Sequence, residues 1–386
     1  MDELDGFCDS FLDDSHRAFR AAAARFAAEA IEPHAYAWEE AEAFDRDLYR
    51  QAAEAGLLGP SFPEALGGGG GDVFHALVMT EALLRAGSTG AVVGLGSLEI
   101  ALPPILTLGT PEQQQRFVPP VLRGERIAAL AISEPGAGSD VAGLRCQARR
   151  EGAGYRLSGS KLYVTSGVRA DQVTVLARTG PDPHQGLTFF VVERDWEGYR
   201  VSRALKKTGW RASDTAELAF EDVFVPESHR LGPEGSGFAC LMRTFQGERL
   251  YLAGQGYALA QAAWLDALAY AREREAFGRP LTGFQVIRHT LADMAARTLS
   301  AKTLVYQCAA QVRAGQATPT QVALVKNEAA RAAEWVCRQA VQVLGGMGYM
   351  RETKVERYSR DARLLAIGGG TSEIMNEIAS KGLGLS

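Results

Sequence analysis

The sequence predicts an α+β, multidomain chain. An N-terminal α-helical domain takes residues 1–124, a middle antiparallel β-sheet domain takes 125–232, and a C-terminal four-helix bundle takes 233–386. Three observations predict this order. Ala-rich amphipathic stretches fill the first third. Short β-prone runs between turns rich in Gly, Pro and Asp fill the middle. Long stretches with apolar residues at steps of three or four fill the last third. A length of 386 residues suits two or three such domains and a large core.

The N-terminal helices are expected over 9–31, 45–55, 72–86 and 89–107. Thr110-Pro111-Glu112-Gln113 opens another: Thr110 caps, Pro111 suits the first helical position, and Gln113 reaches back. The run Gly67–Gly71 lacks the Gly-Lys-Ser/Thr of a phosphate-binding loop and reads as a connection. Strands are expected over Ile127–Ile132, Gln172–Ala177, Leu187–Val192 and Glu217–Val225. Helices of the bundle are expected over 236–276, 282–314 and 318–345. The last begins with a second capping box, Thr318-Pro319-Thr320-Gln321. Its apolar stripe runs through Val322, Val325, Ala329, Ala332, Val336, Ala340 and Val343. Gly315 and Gly345-Gly346 end helices as C-terminal glycines do.

Composition excludes several classes. Net charge is −5 and the basic residues are dispersed, so no nucleic-acid partner is expected. Five cysteines stand far apart with no C-x-x-C pair, which argues against a disulfide framework or a zinc site and for a reducing cytosol. No metal site is expected, because the six histidines are isolated. No apolar run is expected to reach the ~20 residues of a membrane span. The start carries no basic-then-apolar signal pattern, so a cytoplasmic location is expected. No G-x-S-x-G elbow points to a serine hydrolase.

Four segments carry chemistry. Ala131-Ile132-Ser133-Glu134-Pro135-Gly136-Ala137-Gly138-Ser139-Asp140-Val141-Ala142-Gly143 leaves a strand and turns through glycines and hydroxyls, a surface that approaches a ligand closely. On its own it also reads as an elaborate turn. Arg272-Glu273-Arg274-Glu275-Ala276-Phe277-Gly278, with Phe284-Gln285, reads as a charged helix end, with Gln285 in a capping box begun by Thr282. Gln342-Val343-Leu344-Gly345-Gly346-Met347-Gly348-Tyr349-Met350-Arg351-Glu352 ends a helix, so its glycines are not a dinucleotide fingerprint, which follows a strand. Ile367-Gly368-Gly369-Gly370-Thr371-Ser372-Glu373-Ile374 is a tight glycine turn before a helix.

Together these segments resemble the signatures and flavin-contacting turn of the acyl-CoA dehydrogenases, and the resemblance runs over nearly the whole chain. It implies a helix–sheet–helix subunit that binds FAD non-covalently, usually as a homotetramer, and passes electrons to an electron-transfer flavoprotein. Carried over residue by residue, it places Leu130, Ile132, Ser133, Tyr163 and Thr165 around the flavin ring. It places Arg274 on the cofactor pyrophosphate, a suitable guanidinium target. Phe277, Gln285 and Thr371 also meet FAD, and Gln342, Gly345 and Gly346 meet the FAD of a neighbouring subunit. Ser139, Arg249, Gly369 and Gly370 border the substrate.

The reaction implied is α,β-dehydrogenation of an acyl-CoA thioester, and it needs a carboxylate base. In many members a Glu precedes the Gly-Thr pair, but this chain has Gly369 there. Phe245-Gln246-Gly247-Glu248-Arg249-Leu250 resembles instead the isovaleryl-CoA and long-chain branch, which carries its Glu in this helix. Glu248 present and Gly369 small form the two halves of one exchange, since two carboxylates on one α carbon would raise each other's pKa. Without the resemblance, Glu248 reads as a helix-surface carboxylate. Alternatives are a dehydrogenase of a carrier-protein-bound acyl or aminoacyl thioester, a same-fold flavin monooxygenase and a catalytically silent binding protein. Glu99, within an apolar run beside Gly94, Gly96, Leu95, Leu98 and Leu102, has no assigned role.

Overall fold

The computed structural model describes residues 6–385. Its N-terminal helices include α1 (Asp14–Phe26), α2 (Val73–Leu84), α3 (Thr89–Leu95), α4 (Leu98–Ala101) and α5 (Pro103–Leu108). The expected single helix over 89–107 is therefore three. Gly96 ends the first, and Pro103, which has no N–H to donate, restarts the third. Thr89–Leu108 spans 20 residues at a mean hydropathy of 1.7, so by length and composition it reaches a membrane span, contrary to expectation. Here it is broken, largely buried, and packed against the sheet and the bundle.

The Thr110 cap forms as read. Gln113 N donates to Thr110 Oγ1 at 3.3 Å, and Thr110 N donates to Gln113 Oε1 at 2.9 Å. Gln113 Nε2 also donates to the carbonyls of Ser228 and Arg230, both at 2.8 Å, which ties the helices to the sheet. Two further caps use histidine. Asp13 N donates to His16 Nδ1 at 3.1 Å, and Asp72 N donates to His75 Nδ1 at 3.2 Å. His16 Nε2 lies 2.8 Å from Asp72 Oδ1, and Arg313 Nη1 lies 3.1 Å from Asp72 Oδ2. Two of the six histidines, His16 and His75, thus converge around Asp72 with metal-like spacing. Their ring nitrogens already serve helix caps, so the cluster is a capping network.

The sheet holds β1 (Ala128–Ala131), β2 (Gln147–Glu151), β3 (Gly154–Thr165), β4 (Gln172–Arg178), β5 (Leu187–Glu193), β6 (Tyr199–Ala204), β7 (Thr215–Pro226) and β8 (Arg230–Leu231), in the order β6-β7-β3-β2-β4-β5-β8. It is not purely antiparallel. β1 runs parallel to β4, and β2 meets β4 in parallel at Gln147↔Arg178. Sequence reading missed β2, β3, β6 and the two-residue β8. β2 and β6 show mostly exposed charged or polar residues (QARRE and YRVSRA), so neither has a clean apolar alternation.

The bundle is built on α6 (Gly237–Glu273), α7 (Gln285–Arg313) and α8 (Pro319–Leu344), followed by α9 (Lys354–Ala362) and α10 (Ser372–Gly382). The Thr318–Gln321 box caps α8 as expected. Two ends differ. α6 stops at Glu273 because Glu275–Ala276 pairs with Arg279–Pro280 as a small hairpin. α7 begins at Gln285 with Phe284 as an uncapped N-cap, so no box begins at Thr282.

One joint fastens all three parts. Glu39 Oε1 accepts from Ser88 Oγ at 3.0 Å and from Ala212 N at 3.2 Å, and Oε2 lies 3.2 Å from Arg360. Asp361 Oδ1 accepts from Trp210 N at 2.6 Å. Glu39 and Asp361 are fully buried. Burial, and then the Glu39 carboxylate, push the Asp361 carboxyl up.

Candidate active site

The site lies where α6, α8 and the turn before α10 meet. The turn Gly369-Gly370 has φ +64° and +102°, a backbone that side chains resist. Three side chains hold it. Arg249 Nε donates to the Gly369 carbonyl at 3.1 Å, and Lys326 Nζ donates to the Gly370 carbonyl at 2.7 Å. Asn327 Nδ2 donates to the Ser372 carbonyl at 3.0 Å. Thr371 Oγ1 caps α10 by accepting from Ile374 N at 3.3 Å. Its hydroxyl therefore has a structural task. Lys326 and Asn327 were not singled out from sequence. The signal was there for Lys326, four residues after Val322 and so on the apolar face of α8.

Glu248 stands over this turn. A β-carbon added at Gly369 would lie 3.7 Å from Glu248 Oε1, and 2.6 Å from Leu252 Cδ1. A longer side chain at 369 would thus start in the space that the Glu248 carboxylate and its neighbours occupy. Glu248 is half-buried by surface, yet its carboxyl sits deep among protein atoms. Desolvation pushes it up to about 7, against the opposing pull of Arg249 and Lys326. Lys326 is itself 1% exposed, and burial brings its ammonium down to about 8. The site therefore holds a carboxylate near neutrality, two cations and a strained glycine turn.

The sheet gathers a second group. Leu162 N donates to the Ser133 carbonyl at 2.8 Å, which joins the end of β1 to β3. The fully buried Lys161 Nζ donates to the Ile132 carbonyl and to Glu134 Oε1, both at 2.8 Å. Glu134 in turn accepts from Arg145 N and Cys146 N, at 2.7 and 3.0 Å. This Lys161–Glu134 pair, unread from sequence, fixes the glycine loop. Leu130, Ile132, Ser133, Tyr163 and Thr165 fall together here, while Ser139 is exposed on the loop. Tyr163 is 68% exposed and has φ +61°, which turns its ring outward from the sheet.

Arg274, Phe277 and Gln285 lie on the hairpin and the start of α7, all exposed, with Phe277 94% exposed at the tip. Gln342, Gly345 and Gly346 are exposed at the end of α8. No hydrogen bond joins either group to the sheet group among the described residues. Sequence reading placed all three groups on FAD, the last through a neighbouring subunit. Among the described residues, contacts hold the sheet group together and, separately, the Glu248–Gly369 group.

The chain belongs to the acyl-CoA dehydrogenase family: the models of its N-terminal, middle and C-terminal domains match residues 13–125, 129–223 and 235–384. It is 38% identical over 376 residues to a mitochondrial isovaleryl-CoA dehydrogenase of Solanum tuberosum, covering 96% of this chain and 91% of the relative. It is 35% identical over 369 residues to a mitochondrial long-chain specific acyl-CoA dehydrogenase of Sus scrofa, covering 95% and 86%. Among solved structures, a probable acyl-CoA dehydrogenase of Mycobacterium abscessus is 47% identical with a TM-score of 0.95, covering 97% and 100%. A glutaryl-CoA dehydrogenase of Mycobacterium smegmatis in complex with FADH2 is 26% identical with a TM-score of 0.93, covering 98% and 96%. The prolyl acyl carrier protein oxidase AnaB is 29% identical with a TM-score of 0.90, covering 97% and 100%.

Proposed function

We propose that the protein oxidises an acyl-CoA thioester to the trans-2-enoyl-CoA with Glu248 as the base. The observation that carries this reading is the 3.7 Å between Glu248 Oε1 and the position a Gly369 side chain would take. The two places from which a carboxylate can reach one α carbon converge, and only one is filled. Glu248 removes the α proton. Its elevated pKa gives it the basicity this weak carbon acid requires. Gly369 keeps a backbone N–H that donates to the thioester oxygen, where negative charge develops. Arg249 and Lys326 hold that turn by its carbonyls and so fix where the N–H points.

The residues present fit FAD. Tyr163 and Phe277 leave large aromatic surfaces uncovered, and β-carbons added at Gly136, Gly138, Gly345 or Gly346 would meet nothing within 4 Å. FAD, when bound, accepts the β hydrogen as hydride. Leu130, Ile132, Ser133, Tyr163 and Thr165 border its ring, and Arg274, Phe277 and Gln285 hold its other end. Gln342, Gly345 and Gly346 serve the site of a neighbouring subunit in a homotetramer. Exposed Met347, Tyr349 and Met350 beside them support such a contact. Electrons then pass to an electron-transfer flavoprotein. Five free, buried cysteines support a reducing, cytoplasmic setting.

The test is anaerobic mixing of the yellow protein with straight, branched and aromatic acyl-CoAs and one carrier-bound thioester. An acyl-CoA is expected to bleach the flavin, and Glu248→Gln to slow bleaching by roughly 10²–10⁴-fold with flavin content kept. Bleaching by the carrier-bound substrate alone would move the reading to tethered thioesters. A variant as fast as wild type would remove Glu248 from the role.

A further inference from the structure

The sheet group contains a clamp that proton removal does not use. β3 carries one residue more than β7 between the pairs Lys161↔Leu218 and Val164↔Ala216, a bulge at Leu162–Tyr163. The bulge puts Tyr163 in the left-handed region, at φ +61°, and frees Leu162 N to donate to the Ser133 carbonyl at 2.8 Å. Lys161, just before the bulge, is 0% exposed and donates to the preceding carbonyl, that of Ile132, at 2.8 Å. β3 therefore grips two successive carbonyls of the segment that leaves β1. A trans peptide points its C=O and its N–H in opposite directions, so the Ser133 N–H faces away from Lys161. Neither that N–H nor the Ser133 hydroxyl has a hydrogen-bond partner among the described residues, and Ser133 is only half-buried. Glu134 completes the clamp: its Oε1 lies 2.8 Å from Lys161 Nζ, and its carboxylate accepts from Arg145 N and Cys146 N. Replacing a buried ion pair by apolar groups is often neutral or stabilising, so stability alone is a poor reason for this one.

We infer that Lys161, held by Glu134, is a positioning residue: by fixing the Ile132–Ser133 peptide it aims the free Ser133 N–H and hydroxyl at the bound flavin and so sets the flavin's reduction potential. This rests on the reading that places Ser133 at the flavin ring. Lys161 is sealed beneath the segment and meets no ligand itself, so its effect passes through Ser133. Fixed donors on one edge of a flavin favour the reduced ring, which carries the extra negative charge. Without the clamp the peptide can rotate, and the oxidised and reduced rings are then held more nearly alike.

The test is the reduction potential of the bound flavin, measured anaerobically against a reference dye. Lys161→Met/Glu134→Gln removes both charges together, so that neither is left buried alone. Ser133→Ala leaves the clamp intact and removes one donor. Each is expected to weaken the holding of reduced over oxidised flavin by ~10-fold, a fall of ~30 mV for a two-electron couple. Lys161→Arg, which keeps a charged donor, is expected to retain most of the wild-type potential. A clamp that only stabilises the fold would lower the melting temperature and the affinity for both flavin forms alike. An unchanged potential in the double variant would therefore overturn the inference and leave the acyl-CoA reading standing. If the double variant does not fold, Ser133→Ala decides, and an unchanged potential there overturns the inference as well. A wild-type protein that takes up no FAD would overturn both.

Discussion

Two places in this molecule desolvate a carboxylate, and they partner it differently. At the joint of the three domains, Glu39 and Asp361 receive Ser88, Ala212, Trp210 and Arg360. In the candidate site, Glu248 has no hydrogen-bond donor among the described residues. Burial raises the acid in both places, for Asp361 as for Glu248. A raised pKa alone therefore does not mark a catalytic group. What separates the two places is partnering: Glu39 Oε1 and Asp361 Oδ1 accept hydroxyl or backbone donors, although Glu39 Oε2 and Asp361 Oδ2 keep none, whereas neither oxygen of Glu248 accepts from any described residue.

Removing a partner at the joint should have the largest effect on stability. Glu39→Ala leaves Arg360 buried without one of its counter-charges, and a loss of about 3–5 kcal/mol is expected in urea unfolding. A loss under about 1 kcal/mol would mean that the joint is not structural. The glycine turn comes next. Gly369→Ala adds a carbon 2.6 Å from Leu252 Cδ1 at φ +64°. It should cost about 1–2 kcal/mol for the left-handed backbone and slow turnover as well. Unchanged stability with full activity would mean that the turn relaxes freely and does not aim the Gly369 N–H.

The smallest effect is a dependence on pH. Glu99 has a folded pKa above its unfolded value, so its contribution is fully present below about pH 4.5 and is lost as pH rises through about 7. Glu99→Gln should therefore melt higher than wild type at pH 8 and not at pH 4. A thermal shift equal at both pH values would show that Glu99 is not desolvated. Asp72 behaves in the opposite sense. Despite partial burial, His16, Arg313 and His75 hold it down to about 2, so its caps weaken only as pH falls towards that value.

Much of this was legible in the sequence. The two threonine capping boxes and the three long helices stand as read, because each rests on a short-range pattern. Failures have two physical sources. Charged strands such as Gln147–Glu151 and the edge strand Tyr199–Ala204 hide their alternation, and a glycine inside the apolar run 89–107 breaks a helix that hydrophobicity alone extends. Long-range pairing is the other source. Nothing local announces that Glu39 meets Asp361, that Lys161 meets Glu134 or that His16 meets Asp72.

The central claim, that Glu248 takes the α proton, is tested most directly by exchange of that proton in D2O, followed by NMR on a thioester bound to the enzyme. The wild type is expected to exchange it at a rate that rises with pH through about 7, and Glu248→Gln to leave it in place. Exchange in the variant at the wild-type rate, or a wild-type rate flat across that range, would contradict the account.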